Sequence, residues 1–158
     1  SLGLDPNETV VLSPDMGSAK MSQSYAKLLG MHFALIDKRR TSPNQAEIVH
    51  LIGSMDNKHV LIVDDMIDTA GTTVNAAEKA MENGAKSVTA VATHALLSGP
   101  AVERIKNSSI NKLIVTDTIN IPDEKLMSNM EIVSVAKVFG EAIRRIHMSE
   151  SVSALFDF

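Results

Sequence analysis

Asp64, Asp65 and Asp68 stand close together in the chain and run directly into Thr69, Ala70, Gly71, Thr72 and Thr73. Neighbouring carboxylates repel one another unless cations or hydroxyl groups share their site. Threonine hydroxyls and open backbone N–H groups at a helix start form a cradle of phosphate size. The combination suits a ligand that carries both sugar hydroxyls and a phosphate. An isolated Asp-Thr-x-Gly-Thr also serves simply to cap a helix, so capping is the second reading of the same residues. Upstream, Lys38, Arg39 and Arg40 form a basic cluster. Such a cluster is either a solvated patch or a set of cations that meets charge developing on a phosphoryl group. Asp15, in Ser13-Pro14-Asp15-Met16-Gly17, is a turn acid or a metal contact. A lone histidine such as His94 more often caps or packs than reacts, and it is left outside the catalytic set.

The elements that must position these groups follow from hydrophobic spacing. His59 to Val63 reads as a buried strand that delivers the acids. Thr72 to Asn83 reads as a helix with Val74, Ala77, Ala80 and Met81 inward, closed by Gly84. Before them come a strand over Thr9 to Ser13, stopped by Pro14, and a helix over Ala19 to Leu29 closed by Gly30. Met21, Tyr25, Leu28 and Leu29 form that helix's apolar stripe. Met31 to Ile36 reads as a strand emptying into a mobile polar loop that holds Asp37, Lys38, Arg39 and Arg40. Glu47 to Ile52 is strand-like and suggests an antiparallel excursion. Later come strands at Ser87 to Thr93, Lys112 to Thr116 and Ile132 to Val135, with a helix at Pro100 to Asn107. A final helix reaches about Met148 with Val138, Phe139, Ala142, Ile143 and Ile146 inward. Alternation of this kind implies an α/β fold, a mostly parallel sheet with helices on both faces. Ligands of such sheets bind beyond the carboxyl ends of the strands, where the acids stand.

Composition narrows the chemistry. A chain of 158 residues with 44% hydrophobic content can bury one core, so a single domain is the expectation. Its net charge of -4 gives no general attraction to nucleic acid, and 3% aromatic residues disfavour base stacking. No apolar run approaches the roughly 18 residues of a membrane span, and no basic-then-apolar leader is present, so a soluble cytoplasmic protein is expected. The absence of cysteine removes disulfides and thiolate zinc sites, which leaves oxygen or imidazole donors and makes Mg2+ the natural metal. Neither G-x-x-x-x-G-K-[ST] nor G-x-G-x-x-G occurs, so ATP is not held in those ways. The opening at Ser1, with a strand expected soon after, fits a processed chain or an excised fragment.

Val60 to Thr73, V-L-I-V-D-D-M-I-D-T-A-G-T-T, resembles the phosphoribosyl pyrophosphate motif of the type I phosphoribosyltransferase fold. S-P-D-M-G, I-D-K-R-R, T-H-A-L-L-S-G-P-A-V-E-R-I and the ending A-I-R-R-I-H-x-x-E-S-V-S-A-L-F are similar to the ribose-phosphate pyrophosphokinase family, over essentially the whole chain but only that family's C-terminal half. The resemblance implies transfer of the β,γ-diphosphoryl group of ATP to the 1-hydroxyl of ribose 5-phosphate. It implies ribose 5-phosphate binding by Asp64, Asp65, Asp68, Thr69, Ala70, Gly71 and Thr72, catalysis by Lys38 and Arg40, and Mg2+ contact by Asp15. It also implies a homo-oligomer, hexameric in the family, and a phosphate or ADP regulatory site at Ser151, Ser153 and Phe156. A tail that merely anchors the last helix is the alternative for those three. Ser18 departs from the family's pattern, which commonly has a second glycine there. Because the family's adenine contacts come largely from its other half or a neighbouring subunit, this chain alone is expected to bind ribose 5-phosphate or phosphate weakly and to be nearly inactive. The competing readings are a non-catalytic regulatory homologue and a type I base phosphoribosyltransferase, for which no base-recognising hood is found.

Overall fold

Among the described residues seven strands form one sheet in the order β3-β2-β1-β4-β5-β6-β7. The structure is a computed structural model, and the described residues are 3–39 and 48–156. In chain order the elements are β1 (Thr9–Ser13), α1 (Ala19–Leu29), β2 (His32–Arg39), β3 (Ile48–Ile52), β4 (His59–Ile67), α2 (Gly71–Glu82), β5 (Ser87–Ala95), α3 (Ala101–Lys106), β6 (Ile110–Thr116), β7 (Met130–Val133) and α4 (Ala136–His147). Short 3-10 turns occur at Asp123–Lys125 and Ser153–Leu155. Among the described residues every pairing is parallel except β2 with β3, which is the expected antiparallel excursion.

Strand alternation divides the core into two layers. Val10, Leu12, Val60 and Ile62 face α2 and α3, where they pack with Ala76, Ala77, Ala80, Ala101 and Ile105. Val11, Leu61 and Val63 face the other way and meet Ala26 of α1. A central strand buried on both faces must be apolar at consecutive positions, which is why Val60 to Val63 carries no polar residue. Gly30 ends α1 at φ 65, and Met31 N–H returns to Ala26 O at 2.9 Å, a left-handed helix stop that glycine adopts without a Cβ clash. Among the described residues no helix is long and apolar enough to cross a membrane.

Several boundaries differ from the sequence expectation. β4 runs on through Asp64 and Asp65 to Ile67, and β5 runs on through His94 to Ala95. These two strands pair in register from His59↔Ser87 to Ile67↔Ala95, so the ladder carries polar residues that periodicity alone would leave in a loop. β2 likewise continues through Asp37 and Lys38, which pair with His50 and Val49 rather than lying in the loop. Arg40 and the remainder of that loop lie outside the described residues. β7 begins and ends two residues earlier than expected, at Met130 and Val133.

The larger corrections concern helix faces. On α1 the buried residues are Ser22 and Ala26, while Tyr25, Leu28 and Leu29 are exposed. Small side chains let this helix lie close on the sheet, and Ser22 Oγ donates to Val63 O at 3.4 Å. On α2 the buried set is Thr73, Ala76, Ala77 and Ala80, and Met81 is exposed. On α4 no residue is buried, and Val138, Phe139, Ile143 and Ile146 are 57–68% exposed. A 3.6-residue apolar period identifies a face suited to burial, but none of the described residues covers the face on α4.

Candidate functional site

The chain leaves β1 toward β2 and β3 on one side of the sheet and returns to β4 on the other. The carboxyl ends of β1 and β4 therefore flank the point where the winding reverses, the usual place for a ligand crevice. Two adjoining cavities lie there. One, of about 380 Å³, is lined by Asp15, Gly17, Ser18, Met21, Asp64 and Asp65. The other, of about 150 Å³, is lined by Asp15, Asp64 and residues 66–73.

The smaller cavity is the cradle. Ala70 stands at the N-cap of α2 with φ 61, a left-handed conformation unusual for a residue with a Cβ, and it is buried. α2 has no side-chain cap and no acid in its first turn. Val74 N–H returns to Ala70 O at 3.0 Å, whereas the N–H groups of Gly71, Thr72 and Thr73 have no acceptor among the described residues. Open donors at the positive end of a helix attract an anion.

The outer side of this loop is tied down by residues the sequence reading missed. Leu96 and Leu97 N–H both donate to Ile67 O, at 3.0 and 3.1 Å, and Ser98 N–H donates to Asp68 O at 2.9 Å. Arg104 Nη1 donates to Thr69 O at 3.0 Å. Three consecutive carbonyls are thus held from the segment after β5 and from α3. No periodicity or local motif announces a tie between residues 35 positions apart, as Thr69 and Arg104 are.

The larger cavity is acidic. Asp64 is half-buried, and burial is the largest reason its carboxyl is pushed up to about 6. The Asp65 N–H, which donates to Asp64 Oδ1 at 3.0 Å, opposes that rise, while the Asp65 and Asp15 charges add to it. Asp15 is held by the turn after β1: Ser18 N–H and Ser18 Oγ both donate to its Oδ1 at 3.0 Å, and buried Ser13 Oγ donates to its carbonyl at 2.8 Å. The sequence reading had no role for Ser13. Ser18 has φ -89 and ψ 0, which any L-residue adopts, so the turn does not require a second glycine at that position.

Among the described residues no group of three His, Cys, Asp or Glu side chains could hold a metal ion alone. The hard oxygen donors here nevertheless fit Mg2+, which commonly takes one or two carboxylates and completes its shell from substrate phosphates and water. Asp15 has Oδ2 available for such a role, with no hydrogen bond to it among the described residues.

The structure therefore brings Asp15, Asp64, Asp65, Asp68, Thr69, Ala70, Gly71 and Thr72 around one crevice. Lys38 lies on β2 beyond the last residue paired with β1, at the same carboxyl edge of the sheet. Ser151, Ser153 and Phe156 lie in the tail after α4 and line neither cavity. Arg145 Nη1 holds Ser151 O at 3.0 Å, and Phe156 is 69% exposed, so the ring does not anchor the helix. His94 lines a different cavity with Asp117 and Phe139, and its Nδ1 lies 3.0 Å from Thr118 Oγ1.

Comparison with known proteins agrees with this architecture. The model of the phosphoribosyl synthetase-associated domain matches residues 39–157. A ribose-phosphate pyrophosphokinase of Clostridium tetani is 50% identical over 156 residues, 98% of this chain and 49% of that protein. The crystal structure of phosphoribosylpyrophosphate synthetase from Mycobacterium smegmatis superposes with a TM-score of 0.83 at 33% identity, covering 90% of this chain and 46% of the other. APRTase from Giardia lamblia, at a TM-score of 0.55 and 18% identity over 70% of this chain and 68% of its own, shares the fold. The chain spans about half the length of the curated relatives it matches. With its mostly parallel sheet, its crevice at the winding reversal and these likenesses, the chain belongs to the phosphoribosyl synthetase-associated domain family, with the fold of the type I phosphoribosyltransferases.

Proposed function

We propose that this chain forms the acceptor half of a ribose-phosphate diphosphokinase site, in which ribose 5-phosphate receives the β,γ-diphosphoryl group of ATP and AMP is released. The observation that carries the reading is the pairing of three open N–H groups at the start of α2 with half-buried Asp64 beside them. One end suits a phosphate and the other suits hydroxyl donors, and both line the same cavity.

In this reading the 5-phosphate lies on the N–H groups of Gly71, Thr72 and Thr73, with the Thr69 and Thr72 hydroxyls adding donors. Asp64 and Asp65 accept hydrogen bonds from ribose hydroxyls, which offsets the desolvation that lifts the Asp64 carboxyl. Held at both ends, the sugar presents its 1-hydroxyl oxygen to the β-phosphorus; a new O–P bond forms as the bond to the α-phosphate oxygen breaks, AMP leaves and the hydroxyl proton passes to solvent. Lys38 and Arg40 supply positive charge to the transferring group. Asp15 would hold Mg2+ through Oδ2, and the ion when bound neutralises charge on the phosphoryl oxygens. Assembly into a homo-oligomer, with phosphate or ADP recognised near Ser151, Ser153 and Phe156, is part of the same proposal and rests on the family resemblance.

Two measurements test it. Calorimetry of the 158-residue chain with ribose 5-phosphate, ribose and inorganic phosphate is expected to rank ribose 5-phosphate tightest, and equal binding of ribose would overturn the cradle. Phosphorus NMR with ATP, Mg2+ and ribose 5-phosphate is expected to give AMP and a new diphosphate ester only when the chain is joined to a second half like that of its relatives. ATP-dependent synthesis at a normal rate by the chain alone would refute the division of the site.

A further inference from the structure

Ser18 occupies the N-cap of α1, where a serine hydroxyl ordinarily accepts a hydrogen bond from an N–H in the helix's first turn. Here it makes no such bond. Its Oγ lies 3.0 Å from Asp15 Oδ1 and 3.1 Å from Ser13 Oγ. Proton counting decides the direction of these contacts. Each hydroxyl has one proton. Ser13 donates its proton to Asp15 O, so the only proton left for either Ser18 contact is that of Ser18 itself. A carboxylate is the stronger acceptor, so that proton goes to Asp15 Oδ1. The Ser18 N–H adds a second bond to the same oxygen. Both bonds fall on Oδ1, and among the described residues no hydrogen bond reaches Oδ2 in the carboxylate-lined cavity.

We infer that Ser18 is a positioning residue for Asp15, a serine diverted from helix capping to fix the carboxylate with Oδ2 presented to a divalent cation. The inference rests on the proposed role of Asp15 and adds what selects the rotamer. A glycine at this position would keep the N–H bond and lose the hydroxyl bond, leaving the carboxylate freer to turn. Groups that orient a metal ligand in this way are reflected in metal affinity.

The test is Mn2+ binding to the 158-residue chain, followed by electron paramagnetic resonance, for wild type, Ser18→Ala, Ser18→Gly, Ser18→Thr and Asp15→Asn. Removal of one of the two bonds is expected to weaken Mn2+ roughly three- to ten-fold in Ser18→Ala and Ser18→Gly, with Ser18→Thr near wild type. Melting temperatures are expected to stay nearly level, because no capping bond is removed. Unchanged Mn2+ affinity in Ser18→Ala, while Asp15→Asn lowers it, overturns the inference alone, as does failure of threonine to restore binding. A clear loss of melting temperature in Ser18→Ala without a loss of affinity assigns Ser18 to the helix and also overturns it. If wild type shows no Mn2+ binding up to millimolar concentrations, or Asp15→Asn binds as wild type does, the cation role of Asp15 fails and the inference falls with it.

Discussion

Replacing Asp64 by asparagine should stabilise the protein at neutral pH and not at acidic pH. The folded carboxyl lies at about 6, above the ordinary aspartate value of 3.8, chiefly because it is half-buried. Below the ordinary value it is protonated in both folded and unfolded chains, and its burial costs little. As the pH rises toward about 6 the unfolded chain ionises first, so stability falls, and above that value the folded chain bears the full cost of a desolvated carboxylate. At ~1.4 kcal/mol per pH unit the displacement corresponds to about 3 kcal/mol, and water reaching a half-exposed group screens it to roughly 1–2 kcal/mol. Asparagine keeps the side-chain oxygen that accepts the Asp65 N–H and carries no charge. In urea titrations with chelator and without ligand, the variant's midpoint should move up by roughly 0.5–1 M at pH 7.5. At pH 4 the two midpoints should nearly coincide. Other acids, such as Glu141, which the Arg144 hydrogen bond holds down at about 2, titrate alike in both proteins and cancel from the difference. A midpoint shift of equal size at both pH values, or a loss of stability at pH 7.5, would refute the assignment of the raised value to desolvation. The same variant should lose ribose 5-phosphate binding, so stability and binding move in opposite directions.

Arg104→Met should weaken ribose 5-phosphate binding by about three- to ten-fold in calorimetry, with little change in melting temperature, because it frees the Thr69 carbonyl behind the cradle. Gly53→Ala should destabilise by about 2–4 kcal/mol in urea, since Gly53 has φ 92 and a Cβ there would lie 2.7 Å from Phe33 O. Leu113→Ala, at a fully buried position, should cost about 2–5 kcal/mol. Phe139→Ala should stay within about 0.5 kcal/mol despite removing a larger side chain, because the ring is 59% exposed on α4.

Hydrophobic patterning identified the strands and helices and the order in which they occur, because the continuous apolar runs at Val60 to Val63 and in β1 suit a buried sheet. The extent of the strands was harder to read. Asp64 and His94 belong to the ladder between β4 and β5, with Asp65 inside β4, and backbone pairing places no demand on polarity at a strand's carboxyl end. The α4 stripe was read correctly as apolar and wrongly as inward. A period states that a helix has two faces, and only tertiary contacts state which of them this chain covers. The acids and the cradle were legible because they are consecutive in sequence. The roles of Ser13, Ser18, Leu96 to Ser98 and Arg104 were not, although Ser18 stands out as a departure from the family pattern and the others lie in segments that carry the resemblance, because each contributes a hydrogen bond to a backbone or carboxylate oxygen that residue type does not announce.

The left-handed Ala70 has a dynamic consequence. A non-glycine residue held in that region costs on the order of 1–2 kcal/mol, and here the cost is offset by a buried methyl in the main core layer. Glycine would relieve the backbone and lose the methyl; a larger residue would keep the strain and crowd the layer. Opening of the first turn of α2 therefore recovers part of its own cost, because the backbone strain at Ala70 is relieved as its methyl is exposed. The amides of that turn should exchange with solvent ahead of those in the middle of the helix, and a bound anion should slow them most, so that hydrogen exchange at Gly71 to Thr73 registers occupancy of the cradle before any global change in stability does.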